Sequence, residues 1–259
     1  MAIDSTRILL SGVSRGGHAS WEVGILTPHR WSAIAPCVGG PRLFVRPAVA
    51  NLVPVAVLDF QGAKDQPALV AAVRETCAEL ERFGGDVTYV ESEDVGHGVD
   101  PAHDARTLEW GSVRRRDPAP ATIRVVILDA AFGRHAWIDV VKTKPFPDLR
   151  TTKPAVRIRG GASPEEARRA YLTQSRDRLP RVEAHREPGN RFVVKTELVV
   201  ELDLYLSPAM IDPEKPVTVK WNARTHRLGV VRMSPRFLVE HVRETSDETR
   251  AYGAVVRLR

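Results

Sequence analysis

Residues 7–21 read RILLSGVSRGGHASW, an apolar run set directly against a glycine-rich turn. Thr6 to Leu10 reads as a strand, and Gly12-Val13-Ser14-Arg15-Gly16 fits the pattern G-x-S-x-G. In that pattern a sharp strand-to-helix turn projects a serine hydroxyl, and the flanking glycines leave room for the strained backbone. Chance supplies about 0.06 such matches in a chain with this many serines and glycines. A tight turn that only packs well is the plainer reading of the same residues. The rest of the chain decides between the two.

Working outward, His18 to Thr27 reads as a short helix stopped by Pro28, and Ser32 to Val38 as a second strand. Val53 to Phe60 is apolar enough to be a strand covered on both faces. Ala68 to Phe83 places Leu69, Val70, Val73, Cys77 and Leu80 at helical spacing and stops at Gly84-Gly85, a glycine C-cap. Asp86 to Glu91 reads as a fourth strand, and 101–116 as a further helix before the linker Asp117-Pro118-Ala119-Pro120. Strands alternating with amphipathic helices predict a parallel sheet with crossovers.

Past the linker the texture changes. Ile123 to Leu128, Ala136 to Val141, Phe192 to Thr196, Val199 to Leu206, Val217 to Trp221 and Ala254 to Leu258 are Val-rich strand candidates. Helices are expected at Pro164 to Ser175, opened by a Ser cap with Pro and acids in the first turn, and at Pro235 to Glu244. The expected fold class is therefore α/β, a parallel sheet of about four strands with flanking helices over 1–117. A β-rich region with a few helices follows over 118–259, with a polar insertion near 143–190.

Bulk properties exclude several classes. The 259 residues are 43% hydrophobic and 27% charged, with no apolar stretch of the roughly 18 residues that suggest a membrane span. The start, MAIDSTRILLSG, lacks the basic and long hydrophobic regions of a secretory signal. At face value the location is cytoplasmic. A secreted or periplasmic one stays open if a signal-bearing segment lies upstream. The net charge of +6 is spread along the chain and aromatics are only 6%, so no nucleic-acid footprint is indicated. Arg in excess of Lys, with abundant Ala, Val and Pro, reads instead as the bias of a GC-rich genome. Cys37 and Cys77 lack metal-site spacing and read as buried free thiols.

A serine hydroxyl is a poor nucleophile until a histidine takes its proton, and that histidine must be oriented by a carboxylate. After the apolar run VPVAVLDF comes Gln61-Gly62-Ala63-Lys64-Asp65, with Asp65 in the turn past a strand end; Asp59, within the strand, is the alternative acid. After DVTYVE comes Ser92-Glu93-Asp94-Val95-Gly96-His97-Gly98, with His97 in a glycine-flanked loop. Ser, acid and His thus follow in that order, each after its own strand, the chain order of α/β-hydrolases.

On GVSRGGHASW, AIAPCVGG, FQGAKD and VGHG, residues 6–116 resemble the carboxyl-terminal half of an α/β-hydrolase domain of the prolyl oligopeptidase and dienelactone hydrolase type. The resemblance implies a serine peptidase or carboxylesterase with Ser14 as nucleophile, Asp65 as orienting acid and His97 as general base. The backbone N–H of Arg15 would be one oxyanion donor, and Gly12, Gly16 and Gly17 would form the nucleophile elbow. It implies a small-molecule or peptide substrate and calls for no cofactor or metal. His18 and Trp21 would line the acyl site or belong to the core. Residues 121–259 resemble a β-rich extension of such domains; NRFVVKTELVVELDLYLSPAMIDPEKPVTVKWN carries the pattern.

Domains of this type have about eight strands, with the nucleophile strand central, and here nothing precedes Met1. The expectation is that the amino-terminal half of the catalytic domain, with the loop giving the second oxyanion N–H, lies outside this sequence. The strand RILLSG would then be an edge, open to pairing with another chain. A truncated form of impaired activity is part of the same expectation. The alternative is a non-catalytic scaffold that binds through its β-rich region.

Overall fold

The computed structural model describes residues 3–99 and 103–259. The chain divides into two compact units, one of residues 1–117 and 149–177, the other of 118–148 and 178–259.

The first unit is built on a four-stranded parallel sheet: β1 (Leu9–Val13), β2 (Ala33–Cys37), β3 (Ala56–Gly62) and β4 (Val87–Ser92), hydrogen-bonded in that order. The crossovers are helix α1 (Arg15–Leu26), a 3₁₀ stretch at Arg46–Leu52 and helix α2 (Pro67–Arg82). Parallel crossovers are almost always right-handed, and three stepping the same way put their helices on one face of the sheet. Helix α3 (His103–Ser112) covers the other face, where Trp110 packs against Leu58 and Phe60. All five residues of β2 and all seven of β3 are buried, as their mainly apolar sequences require, with Asp59 and Gln61 the polar exceptions in β3. Pro67 opens α2, and the N–H of Gly85 closes it onto the Leu80 carbonyl at 3.0 Å after Gly84 turns at φ 88°.

Helix α4 (Pro164–Arg176) also belongs to this unit. Ser163 and Glu166 form a reciprocal capping box at its start. Its outer turns reach α2 through ion pairs of Arg168 with Glu75 and of Arg176 with Glu79, each at 2.7 Å.

The second unit holds two sheets. One has the order β12-β11-β9-β8-β5, formed by β5 (Thr122–Val126), β8 (Arg181–Glu187), β9 (Arg191–Glu197), β11 (Pro216–Trp221) and β12 (Arg224–Val230). The other has the order β13-β10-β7-β6, from β6 (Arg134–His135), β7 (Ile138–Thr143), β10 (Val199–Leu206) and β13 (Ala254–Leu258). Helix α5 (Pro235–Thr245) lies in this unit as well. Their apolar faces share one core, in which Trp137 meets Phe192 edge-on at 5.6 Å.

Besides the two-residue β6, two strands here lie where the sequence pattern shows none. Strand β8 falls in the segment that reads as a polar insertion, because only Val182 and Ala184 of its seven residues are buried. Strand β12 is an edge with no buried residue. The turn between β8 and β9 is held by Asn190. At φ 57° its side chain donates to the carbonyls of Asp212 (2.7 Å) and Lys215 (3.0 Å) and accepts from the Asp212 N–H (2.8 Å). Both cysteines are buried and unbridged. No helix among the described residues is long and apolar enough to cross a membrane.

Candidate active site

In an open parallel sheet, functional groups gather beyond the carboxyl ends of the strands. Ser14 follows β1, the loop Val38-Gly39-Gly40 follows β2, Asp65 follows β3 and His97 follows β4. Strand β1 runs to Val13, three residues past the apolar run that marks it in the sequence, so the sheet continues into the glycine turn.

Ser14 sits at φ 56° and ψ −111°, a backbone conformation that costs on the order of 1–3 kcal/mol for a residue with a side chain. Neighbouring backbone holds it there. Its N–H donates to the Cys37 carbonyl at 2.9 Å, and its carbonyl accepts the N–H of His18 at 3.0 Å as α1 begins. Space is the second condition. A Cβ on Gly12 would stand 2.5 Å from the Gly16 carbonyl oxygen, and one on Gly39 2.5 Å from that of Ser14. Gly16 is different: a Cβ there would meet nothing within 4 Å. The glycine before the serine is sterically required, whereas the one after it faces open space.

Asp65 and His97 stand on two loops joined to each other. Ala63 N–H donates to Ser92 O at 3.0 Å, Lys64 N–H to Val95 O at 2.9 Å, and Lys64 Nζ pairs with Asp94 at 2.8 Å. Asp65 is buried, its backbone N–H turned onto Gly62 O at 3.1 Å, and its Oδ1 accepts the Gln66 N–H at 2.7 Å. Its other oxygen, Oδ2, lies 2.7 Å from His97 Nδ1. His97 Nε2 in turn lies 2.7 Å from Ser14 Oγ. An acceptor carboxylate at Nδ1 fixes the tautomer with the proton on Nδ1, leaving Nε2 free to accept from the serine hydroxyl.

The three residues singled out in the sequence thus form one continuous hydrogen-bonded chain. Asp59, the other acid considered, lies elsewhere: it is fully buried within β3 and accepts from Trp21 and Gln61. Trp21 is therefore core, with no exposed surface. His18 is half-buried, with Nδ1 against the backbone of Gly40. Arg15 is the first residue of α1, so its N–H has no acceptor within the helix. Gln61, whose side-chain amide reaches both Asp59 and the Gly39 carbonyl, carries no motif, and its contact is visible only once β2 and β3 are side by side.

No protein-family profile and no curated protein matches the chain. Solved structures match it in part. A thermostable esterase superposes with a TM-score of 0.37 at 26% identity, over 44% of this chain and 32% of its own. Acyl-protein thioesterase 2 of Zea mays gives 0.35 at 15% identity, over 39% and 53%. An acylaminoacyl peptidase of Pyrococcus horikoshii gives 0.36 at 14% identity, over 44% and 25%. The chain spans between a quarter and about half of the length of these proteins.

Proposed function

We propose that the first unit carries the site of a serine hydrolase of the α/β-hydrolase type, acting on an ester or peptide bond through an acyl-enzyme. The observation that carries the reading is the unbroken Ser14–His97–Asp65 chain, with both links at 2.7 Å. Ser14 Oγ attacks the substrate carbonyl carbon as its proton passes to His97 Nε2, and Asp65 stabilises the imidazolium that results. The carbonyl oxygen becomes an oxyanion that the free N–H of Arg15, at a helix amino terminus, is suited to receive. Collapse expels the alcohol or amine with the proton from His97, and water repeats the sequence to release the acid and restore Ser14.

The test is covalent. A fluorophosphonate probe should label Ser14 in the folded chain and fail to label Ser14→Ala. Equal hydrolysis of p-nitrophenyl acetate by wild type and Ser14→Ala, with no labelling, would leave the alternative of a hydrolase-derived scaffold.

A further inference from the structure

Beneath the elbow lies a carboxyl group that this chemistry does not use. Asp59, in the middle of β3, points to the sheet face covered by α1. Its Oδ2 accepts the indole N–H of Trp21 at 2.9 Å, and its Oδ1 accepts the side-chain amide of Gln61 at 3.2 Å. Trp21 lies about two turns along α1 from Ser14. Gln61 lies on the strand that leads to Asp65, and its amide nitrogen also donates to Gly39 O at 3.3 Å. Gly39 is the residue packed against the Ser14 carbonyl. One carboxyl group therefore touches the helix of the nucleophile, the strand of the acid and, through Gln61, the loop on which the elbow rests.

We propose that Asp59 is a positioning residue for the Ser14–His97–Asp65 set, holding the 38–40 loop in place through Gln61 when ionised and releasing it when protonated. The inference rests on the hydrolase reading above. An ionised carboxylate is acceptor-only, which suits the two donors aimed at it. A protonated one must place an O–H. Gln61, already bonded to it, carries an acceptor in Oε1, which is buried without a hydrogen-bond partner. Using it requires the Gln61 amide to turn over, and that removes the donor from Gly39 O. The two protonation states thus favour two amide orientations, only one of which ties β3 to the loop under Ser14.

The surroundings place this change in an accessible range. Burial pushes the Asp59 carboxyl up to about 7, against the opposing pull of Trp21 and Gln61. The titratable groups that bear on it are Cys37 of β2, Cys77 of α2 and Tyr89 of β4. All three are pushed further toward their neutral forms, by burial first and by Asp59 among the other causes. No described ion pair includes Asp59, so no cation fixes its charge.

The experiment is the rate of fluorophosphonate labelling of Ser14 between pH 5 and 9 in the full chain, for wild type, Asp59→Asn and Gln61→Met. Wild type should show two ionisations, and each variant only one, with a several-fold lower rate above pH 8. Gln61→Met leaves Asp59 in place and cuts the link to Gly39, so it carries the test if Asp59→Asn does not fold. Labelled wild type with variant profiles that superimpose on it overturns the role of Asp59 alone. Wild type that is not labelled at any pH overturns the hydrolase reading and this inference together.

Discussion

Gly39 lies against Ser14 so closely that a Cβ on Gly39 would stand 2.5 Å from the Ser14 carbonyl oxygen. The strained serine is therefore positioned from the loop that follows the neighbouring strand as well as from its own turn.

Substitutions at three glycines should separate accordingly. Gly12→Ala and Gly39→Ala force backbone apart, and each should lower the Ser14 labelling rate at least 10-fold or prevent folding. Gly16→Ala meets open space in the first turn of α1 and gains helix propensity worth up to about 1 kcal/mol. Its labelling rate should stay within a few-fold of wild type, with an unchanged or raised melting temperature.

Asp65→Asn keeps the shape of the acid but presents an amide to His97 Nδ1, favouring the wrong tautomer. On the proposed mechanism the labelling rate falls about 10³–10⁴-fold. Circular dichroism should show the fold retained. A loss smaller than 10-fold would mean that His97 does not depend on Asp65.

Acid should weaken the second unit before pH 4. Burial pushes His135 and His241 down to about 4, with Arg250 adding to the effect on His135 and Arg134 and Arg250 on His241. The unfolded chain takes up these protons near 6.5, so the stability they confer is complete above 6.5 and is lost as pH falls toward 4. Neutral His241 also accepts a hydrogen bond from Arg134 at 2.6 Å, which a protonated ring cannot do. His241→Gln keeps an acceptor without the titration. Amide protection factors in α5 and β6 should therefore fall less steeply between pH 6.5 and 5 in that variant.

Asn190→Ala removes three hydrogen bonds and leaves an alanine at φ 57°. At about 1 kcal/mol for each bond, plus 1–2 for the backbone, the expected loss is about 4 kcal/mol by urea unfolding. Asn190→Gly relieves the backbone alone and should recover the smaller part. Equal stability of the two variants would show that the side-chain clamp, not the backbone, decides.

The candidate site was legible because its chemistry is written in short segments. GVSRG, FQGAKD and VGHG each place one reactive residue after one strand, and a parallel sheet brings successive strand ends together. Periodicity does not carry the long-range ties. Helix α4 joins the first unit through Arg168–Glu75 and Arg176–Glu79, pairs separated by more than ninety residues. Nothing in a local window links them. Strand β12 escaped because an edge strand with both faces exposed has no apolar alternation to show. The glycine pattern misled in one respect: it weighs Gly12 and Gly16 equally, whereas the space they need differs, and the closest support comes from Gly39.

Among the described residues, strand β1 is bonded along one flank only, to β2 through five register pairs from Leu9–Ala33 to Val13–Cys37. Ser14 is thus carried like the tip of a cantilever. Its stiffness is borrowed from β2, the turn at Cys37–Gly39 and the root of α1, while Asp65 and His97 are anchored by strands next to each other. The nucleophile thus stands at one edge of the sheet and the base follows the strand at the other, so their 2.7 Å contact closes over β2 and β3.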